Sequence, residues 1–183
     1  MYFEQAGRDN TEKTLQIAKE QTLKRGLEYL VVASTVGGTG LQAVQMLQDT
    51  EIKLIVVAHS TGMREPGQQR FVEETKQEIE KLGGVVLIGT DTLSGMAIAM
   101  RDKGAFSEET LISNVLRMFG QGIKVCVEIV AMATDANLLP LADVIAVAGT
   151  GRGADTAAVI AANSTNRFFD IKVREILAKP RDF

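Results

Sequence analysis

The sequence has one cysteine, Cys126, no tryptophan and only three prolines among its 183 residues. A single cysteine excludes a disulfide framework and a cysteine-based zinc cluster, and it suits a reducing compartment. Long apolar runs are also missing, because no segment supplies the roughly 18 consecutive apolar residues of a membrane-spanning helix. The first residues lack the basic start and apolar core of a signal peptide. We therefore predict a cytoplasmic protein that is neither secreted nor bound to a membrane.

Positive charge is not in excess. The chain has 20 Lys and Arg against 23 Asp and Glu, a formal net charge of -3 and a pI near 5.3, and its basic residues are scattered. A nucleic-acid partner needs a cationic surface that displaces counterions from phosphates, so we expect no nucleic acid to bind. The 45% of hydrophobic and 23% of charged residues are ordinary for a globular protein. The length suits one domain spanning residues 1–183.

Short apolar runs alternate with amphipathic segments, a pattern typical of an α/β protein with a buried parallel sheet. Strands are predicted at residues 29–33, 54–58, 85–88, 144–148 and 156–161. Helices are predicted from Asn10 to Gly26, around 41–47, over 68–82 and 94–100, from the Ser107 cap to Gly120, and over 123–136. Phe169, Ile171 and Val173 alternate with polar residues before Pro180 and predict a half-exposed edge strand.

Two segments rich in glycine and hydroxyl residues follow buried strands. We call residues 34–40 the first glycine-rich loop and residues 149–155 the second. Glycine lets the backbone approach a ligand closely, and a helix that starts after the loop adds its positive dipole end, so both loops suit an anion such as phosphate. The candidate binding residues are Ser34, Thr35, Gly37, Gly38, Thr39, Gly40, Gly149, Thr150, Gly151, Arg152, Gly153, Asp155 and Thr156. Arg152 could pair with a phosphate, and Asp155 could accept hydrogen bonds from a sugar hydroxyl or a ring nitrogen.

The alternative for both loops is purely structural: glycines form tight turns and the hydroxyl residues cap helices. Neither loop has the Gly-x-Gly-x-x-Gly or Walker pattern. Their joint position at strand ends favours a ligand crevice, since open parallel sheets bind ligands where the strand order reverses. The Asn10-Thr11 corner is explained by helix capping, with a reach toward this crevice as the alternative.

His59 is the only histidine, and it begins a further candidate segment, His59, Ser60, Thr61 and Gly62, after strand 54–58. It could contact a ligand or transfer a proton, or simply form hydrogen bonds within its loop. No catalytic triad and no metal cluster can be built around it. Glu128 interrupts an apolar helix, which predicts an ion pair or solvent exposure, with a position facing the site as the alternative.

The two loops and their strands resemble the carboxyl-terminal α/β domain of pyruvate kinase, in which such a loop grips the phosphate of an effector. Ser34, Gly37 and Thr39 match hydroxyl, glycine and hydroxyl positions of that loop. Val36 and Gly38 stand where pyruvate kinases commonly carry serine and arginine. The barrel domain that holds that enzyme's active site has no counterpart here, so the resemblance implies no pyruvate kinase activity.

The chain more closely resembles small stand-alone archaeal and bacterial proteins that consist of this domain. The resemblance is carried by residues 7–14, 127–136, 149–156 and 168–180. It implies an α/β fold, a three-layer α/β/α sandwich with a mostly parallel sheet of order 3-2-1-4-5 and an antiparallel last strand. The edge strand near Phe169 would be added to this sheet. The strand order would then reverse between strands 29–33 and 144–148, which carry the two loops.

Flavin mononucleotide (FMN) is the ligand that the stand-alone family implies. A phosphate would face the amides of residues 37–40, the ribityl chain would meet hydroxyl side chains, and the ring would lie against residues 59–62. The leading hypothesis is thus a protein that binds a phosphorylated, nucleotide-like small molecule, with flavin redox chemistry as an extension. The rival is a non-catalytic regulatory module that senses a sugar phosphate or a protein partner, and a hydrolase using His59 comes last. The apolar helices and the edge strand also suggest a homo-oligomer.

Overall fold

The computed structural model describes residues 1–151 and 153–183. Its strands are β1 (Tyr2–Gln5), β2 (Tyr29–Ala33), β3 (Lys53–His59), β4 (Val85–Gly89), β5 (Asp143–Ala148), β6 (Thr156–Ala161) and β7 (Lys172–Asp182). Its α-helices are α1 (Thr11–Lys24), α2 (Gly38–Met46), α3 (Glu73–Lys81), α4 (Gly95–Arg101), α5 (Glu108–Arg117) and α6 (Gln121–Asp135). Short 3-10 helices cover Arg8–Asn10 and Thr165–Asp170.

The strands form one sheet in the order β1-β7-β6-β5-β2-β3-β4. β2 pairs in parallel with both β3 and β5, and β3 pairs in parallel with β4. β6 is antiparallel to β5 and to β7, while β1 runs parallel to β7. The predicted order 3-2-1-4-5 is confirmed by the strands β4-β3-β2-β5-β6, and so is the antiparallel direction of the last of them. With helices on both faces, the domain is a three-layer α/β/α sandwich.

Alternate residues of the central strands support two apolar clusters, one on each face of the sheet. Leu30 and Val32 of β2 belong to the cluster that includes Leu15 of α1 and Ile79 of α3. Val31, between them, belongs to the opposite cluster, which α6 dominates. This period-2 division is what a strand buried on both faces requires. Because most side chains of α6 are buried, the interpretation of residues 123–136 as a buried helix is confirmed.

The carboxyl-terminal strand differs from the prediction in two respects. Phe169 lies in a 3-10 helix and is 77% exposed, and β7 begins only at Lys172 and includes Pro180. It is also not the edge, because β1 pairs with it and Phe3 lies opposite Pro180. The proline is tolerated because pairing with β6 extends only to Ala178, so no ladder bond to β6 needs its missing N–H.

Among the described residues, none of the helices combines the length and the apolar character needed to cross a lipid bilayer.

Candidate functional site

The two glycine-rich loops leave the sheet side by side. Val32 of β2 lies opposite Val147 of β5 in a parallel pair, so both strands end at one edge of the sheet, which we call the carboxyl edge. From this pair the sheet continues to β3 and β4 on one side and to β6 and β7 on the other. The predicted reversal of strand order between residues 29–33 and 144–148 is therefore confirmed. Open α/β sheets bind ligands in the crevice that such a reversal creates.

Ser34 fixes the start of the first glycine-rich loop. Its backbone N–H donates to the carbonyl oxygen of Val57 at 2.9 Å, which extends the pairing of β2 with β3. Its Oγ accepts a hydrogen bond from the backbone N–H of Gly40 at 3.2 Å. The side chain is only 5% exposed. The hydroxyl of Ser34 therefore satisfies one N–H group in the first turn of α2 from inside the protein, which is a structural role of the kind that the alternative predicts.

Packing explains two of the glycines in this loop. Gly37 has a φ of 105°, and a Cβ placed on it would lie 2.6 Å from Cγ2 of Thr75 in α3. A Cβ on Gly40 would lie 2.6 Å from Cγ1 of Val56 in β3. Both positions need glycine because α2 packs closely on its neighbours. A Cβ on Gly38, in contrast, meets no atom within 4 Å.

The open surface at Gly38 coincides with free backbone donors. The backbone N–H of Leu41 makes the first intrahelical hydrogen bond of α2, to the carbonyl oxygen of Gly37 at 2.9 Å, and that of Gly40 is taken by Ser34. For the N–H groups of Gly38 and Thr39 we find no acceptor in the described part of the chain. Unbonded N–H groups and the dipole make a helix start favourable for an anion. Thr35 and Thr39 flank it half-buried.

The second glycine-rich loop folds tightly back on itself. A Cβ on Gly149 would lie 2.1 Å from the carbonyl oxygen of Gly153, whose own φ is 72°. The loop closes where the backbone N–H of Asp155 donates to the carbonyl oxygen of Ala148 at 3.0 Å. Gly151 has a φ of 125° and open space around its Cβ position. The predicted phosphate contact of Arg152 lies outside the described residues.

Asp155 holds this loop from within. It is fully buried, and its Oδ2 accepts hydrogen bonds from the N–H groups of Thr150, at 3.1 Å, and Gly7, at 3.0 Å. Its Oδ1 accepts one from the hydroxyl of Thr156 at 2.8 Å. These donors give the carboxylate a structural role in the free protein, and its contact with a sugar or ring stays a prediction. The neighbouring Oγ1 of Thr150 is buried and has no hydrogen-bond partner among the described residues.

The amino-terminal segment brings Gly7, a residue that the sequence did not assign to the site, to the carboxyl edge. β1 carries the chain along β7 to Gly7 at the carboxyl edge, where its N–H meets Asp155. Thr11 then secures the second loop, because its Oγ1 accepts from the backbone N–H of Ala154 at 3.0 Å and donates to the carbonyl oxygen of Arg8 at 2.7 Å. Thr11 thus contacts the second glycine-rich loop, and the reach of the Asn10-Thr11 corner toward a ligand stays a prediction. The only sign of the contact between the amino-terminal segment and the second loop was the glycine at position 7.

The segment after β3 forms the third part of the carboxyl edge. His59 ends the strand, and its carbonyl oxygen accepts a hydrogen bond from Nε2 of Gln69 at 3.1 Å. The loop turns at Gly62, with a φ of 84°, whose N–H donates to the carbonyl oxygen of Gln68 at 2.9 Å. Ser60 is half-buried, whereas Thr61 and Gly62 are exposed.

The side chain of His59 is oriented by Asp91, an acidic residue that was not among the predicted site residues. Its Nδ1 lies 2.8 Å from Oδ1 of Asp91, just beyond β4, and Asp91 is only 6% exposed. The hydrogen bond that His59 donates to the carboxylate of Asp91 raises the pKa of His59 above its usual 6.5, although partial burial opposes the shift. The only signal in the sequence was an acidic residue three positions after the predicted strand 85–88.

Glu128 is buried against a buried lysine. It is 3% exposed and forms an ion pair with Lys124, which is 2% exposed and lies one helical turn earlier in α6. Its Oε1 also accepts hydrogen bonds from the N–H of Leu93, at 2.8 Å, and the hydroxyl of Ser94, at 3.3 Å. The predicted ion pair is confirmed and the predicted solvent exposure is wrong, because the loop after β4 covers this face of α6. The spacing of four residues was the available signal for Lys124.

No residue predicted for the site lines the cavity of about 530 Å³ at the opposite, amino-terminal edge of β2, β3 and β4. Residues such as Tyr29, Gln48 and Lys53 line that cavity. Within residues 1–151 and 153–183, no three His, Cys, Asp or Glu side chains are grouped so that they could hold a metal ion. The chemistry of the carboxyl edge is therefore that of backbone N–H groups, hydroxyls and the His59–Asp91 pair.

No protein-family model matches the chain. Among solved structures it is similar to a pyruvate kinase from Cryptosporidium parvum, with 14% identity and a TM-score of 0.43 over 84% of this chain and 23% of that one. It is also similar to an O-ureido-L-serine synthase, with 16% identity and a TM-score of 0.33 over 52% of this chain and 30% of the other. The chain thus spans less than a third of either protein. Similarity at this level carries no conclusion about activity.

Proposed function

We propose that the crevice at the carboxyl edge binds a phosphorylated, nucleotide-like small molecule, with FMN as the leading candidate. The observation that carries the proposal is the start of α2. Two backbone N–H groups, of Gly38 and Thr39, have no acceptor among the described residues, next to a glycine whose Cβ position is open. They lie where the strand order reverses, so an anionic group has both donors and room.

The second glycine-rich loop supports the proposal from the other side of the crevice. Buried hydroxyl oxygens in proteins nearly always have a hydrogen-bond partner, yet Oγ1 of Thr150 has none among the described residues. Because Oγ1 is buried in the free protein, a hydroxyl or phosphate oxygen of a bound ligand would satisfy it once the loop around Thr150 opens. FMN suits both loops, because it joins a phosphate to a polyhydroxyl chain and an aromatic ring. Flavin redox chemistry is an extension that depends on this binding.

We also propose that the chain belongs to the stand-alone pyruvate-kinase-C-terminal-domain-like family and that it is located in the cytoplasm. The one thiol, Cys126, is free and buried, and its burial strongly raises its pKa. Such a thiol is inert, so the chain needs no oxidising compartment. The rival proposal remains a regulatory module that senses a sugar phosphate without chemistry.

The first measurement is a visible absorption spectrum of the purified protein, followed by titration with FMN and, separately, with riboflavin. Riboflavin lacks only the phosphate. Hydrogen bonds to a charged group contribute about 1.5–3 kcal/mol each, so we expect FMN to bind at least about tenfold more tightly than riboflavin. Equal affinities would contradict a phosphate site. Stabilisation by a hexose bisphosphate without any retention of FMN would favour the regulatory module.

Gly38→Val tests the location of the site. A Cβ at this position would meet no atom within 4 Å, and the methyl groups beyond it would cover the free N–H groups. We therefore expect FMN binding to be lost while the melting temperature stays close to that of the wild type. Gln45→Val, at an exposed position later in α2, is the matched control for placing valine in this helix. Gly37→Val is unsuitable because it collides with Thr75. Normal FMN binding by Gly38→Val would exclude the start of α2 as the phosphate site.

A further inference from the structure

The two outer strands of the sheet, β1 and β4, differ in how they are protected against pairing with another chain. β1 carries Glu4, whose side chain is 87% exposed, and a charge of this kind opposes the addition of a further strand. β4 has the sequence Val85-Val-Leu-Ile-Gly89, with no charged residue and no proline. Val85 is 44% exposed, and the other four residues are half-buried. β4 is therefore an apolar edge without these protecting residues.

The hydrogen bonds of β3 show which backbone groups of β4 point away from the sheet. The carbonyl oxygen of Val57 accepts a hydrogen bond at 2.9 Å from the first residue after β2, so the backbone groups of Val57 face β2. Those of Val56 and Ala58 then face β4, where these residues lie opposite Val86 and Ile88. In a parallel ladder, a residue bonds to the two neighbours of its partner. The N–H and C=O groups of Val86 and Ile88 therefore point outward, and we find no partner for them in the described part of the chain.

These outward groups suit a second copy of β4 in one antiparallel register. With a two-fold axis at Leu87, Val86 of one copy lies opposite Ile88 of the other, and each such pair exchanges both of its N–H···O=C bonds. Leu87 lies opposite its own copy in the non-hydrogen-bonded pair between them, with Cα atoms about 4.5 Å apart. Val85 lies opposite Gly89, which has no side chain. Every outward N–H and C=O group of both strands is then satisfied.

The side chains of β4 also match their own copies across this axis. Val86 and Ile88 pack on the cluster that includes Ile79 of α3, whereas Leu87 packs on the cluster that α6 dominates. Opposite residues of an antiparallel pair lie on the same face of a sheet. Each apolar cluster would therefore meet its own copy, and the half-buried side chains of β4 would lose more of their contact with water.

Charge complementarity favours the same partner. The two-fold axis places α3 and its copy on one face of the sheet in antiparallel directions. α3 has Glu73 and Glu74 in its first turn and Lys81 in its last, and all three residues are exposed. The acidic start of one helix then lies level with the basic end of the other. A second copy of this chain thus matches β4 in backbone, side chains and charge.

We propose that β4 pairs in antiparallel direction with β4 of a second copy of this chain, so that two seven-stranded sheets join into one across a two-fold axis at Leu87. Two-fold symmetric dimers of this kind are the commonest assemblies of soluble proteins. The pairing uses the outer side of β4 and does not depend on the proposed ligand, so the test needs no ligand.

The mass of the purified protein in solution tests the association. Light scattering at several concentrations should give twice the chain mass of 19.8 kDa. Val86→Pro removes an outward N–H and no hydrogen bond to β3, and an edge strand tolerates proline at such a position. We expect this variant to have the mass of one chain and the circular dichroism of the wild type. Val86→Thr, which keeps the N–H and the branched side chain, is the matched control and should remain a dimer.

Cross-linking tests the register. Leu87→Cys places two thiols across the axis at a Cα separation that a disulfide can span, so mild oxidation with diamide should give a covalent dimer. Val85→Cys is the matched control, because it lies on the same face and is more exposed. In this register it is roughly 14 Å along the strand from its own copy, so we expect no cross-link. The native Cys126 is buried and should give none in the wild type.

Three results would overturn the proposal. The first is a wild type with the mass of one chain at every concentration. The second is a folded Val86→Pro variant that remains a dimer, because association would then use another surface, such as the exposed Leu111 and Val115 of α5. The third is equal cross-linking of Leu87→Cys and Val85→Cys, which would indicate random collision. If Val86→Pro does not fold, the comparison of the two cysteine variants decides.

Discussion

Asp155 shows how one residue determines the shape of a loop. Its carboxylate receives three hydrogen bonds from Gly7, Thr150 and Thr156 while fully buried, and so ties the second glycine-rich loop to the amino-terminal segment. In Asp155→Asn the amide oxygen can still accept from the two backbone N–H groups, but the charge is lost and the NH₂ replaces an acceptor. We expect the free energy of unfolding in urea to fall by about 1–3 kcal/mol.

Asp143→Asn is the control for this prediction. Asp143 pairs with Arg174 on the surface, where ion pairs contribute little, so the same chemical change should leave stability within about 0.5 kcal/mol of the wild type. An Asp155→Asn variant as stable as this control would mean that the carboxylate does not hold the loop.

At the scale of elements, α6 carries two charges into a layer that is otherwise apolar. Glu128→Gln would leave the ammonium of Lys124 buried without its counter-charge, so we expect a loss of about 3–5 kcal/mol in the free energy of unfolding. The double variant Lys124→Met/Glu128→Leu replaces both charges by apolar side chains of similar size. It should be close to the wild type or more stable, since a buried ion pair often contributes no net stability.

Chemical denaturation of Glu128→Gln and of the double variant under the same conditions shows whether charge balance determines the stability of this layer. A double variant destabilised as much as Glu128→Gln would show that the hydrogen bonds to Leu93 and Ser94, rather than charge balance, hold α6 against the loop after β4. The order in which the two variants unfold is thus as informative as the free energy of unfolding of either one.

At the scale of the whole molecule, both apolar clusters share one sheet. Residues 30–32 alternate between the clusters, so neither layer can separate without exposing the other side of the same strands. We expect a single cooperative unfolding transition. Because the chain has no tryptophan, Phe71→Trp and Phe168→Trp place unique fluorophores against opposite clusters. Their midpoints in urea, each compared with circular dichroism of the same variant, should coincide, and two separate transitions would show that the layers unfold independently.

The sequence by itself determined the central architecture. Continuous apolar runs of strand length, such as residues 29–33, are typical of strands buried on both faces, and the intervening amphipathic segments predicted the helices. The antiparallel direction and the order of the central strands came from the resemblance, and the structure confirms them. The location of the two glycine-rich loops at one edge followed from these strands.

The tertiary structure decided what depends on contacts between distant residues. β7 was predicted to be an edge strand, but β1 pairs with it and is the outer strand of the sheet on that side. The sequence did not predict this pairing, because a short strand at one end of the chain carries no sign of its partner at the other end. The same contact brings Gly7 to Asp155. Likewise, His59 and Asp91 are 32 residues apart, and Lys124 and Ser94 are 30 apart, so only folding makes them neighbours. Local periodicity reports which face of an element is buried, whereas hydrogen bonds between side chains depend on how whole elements pack.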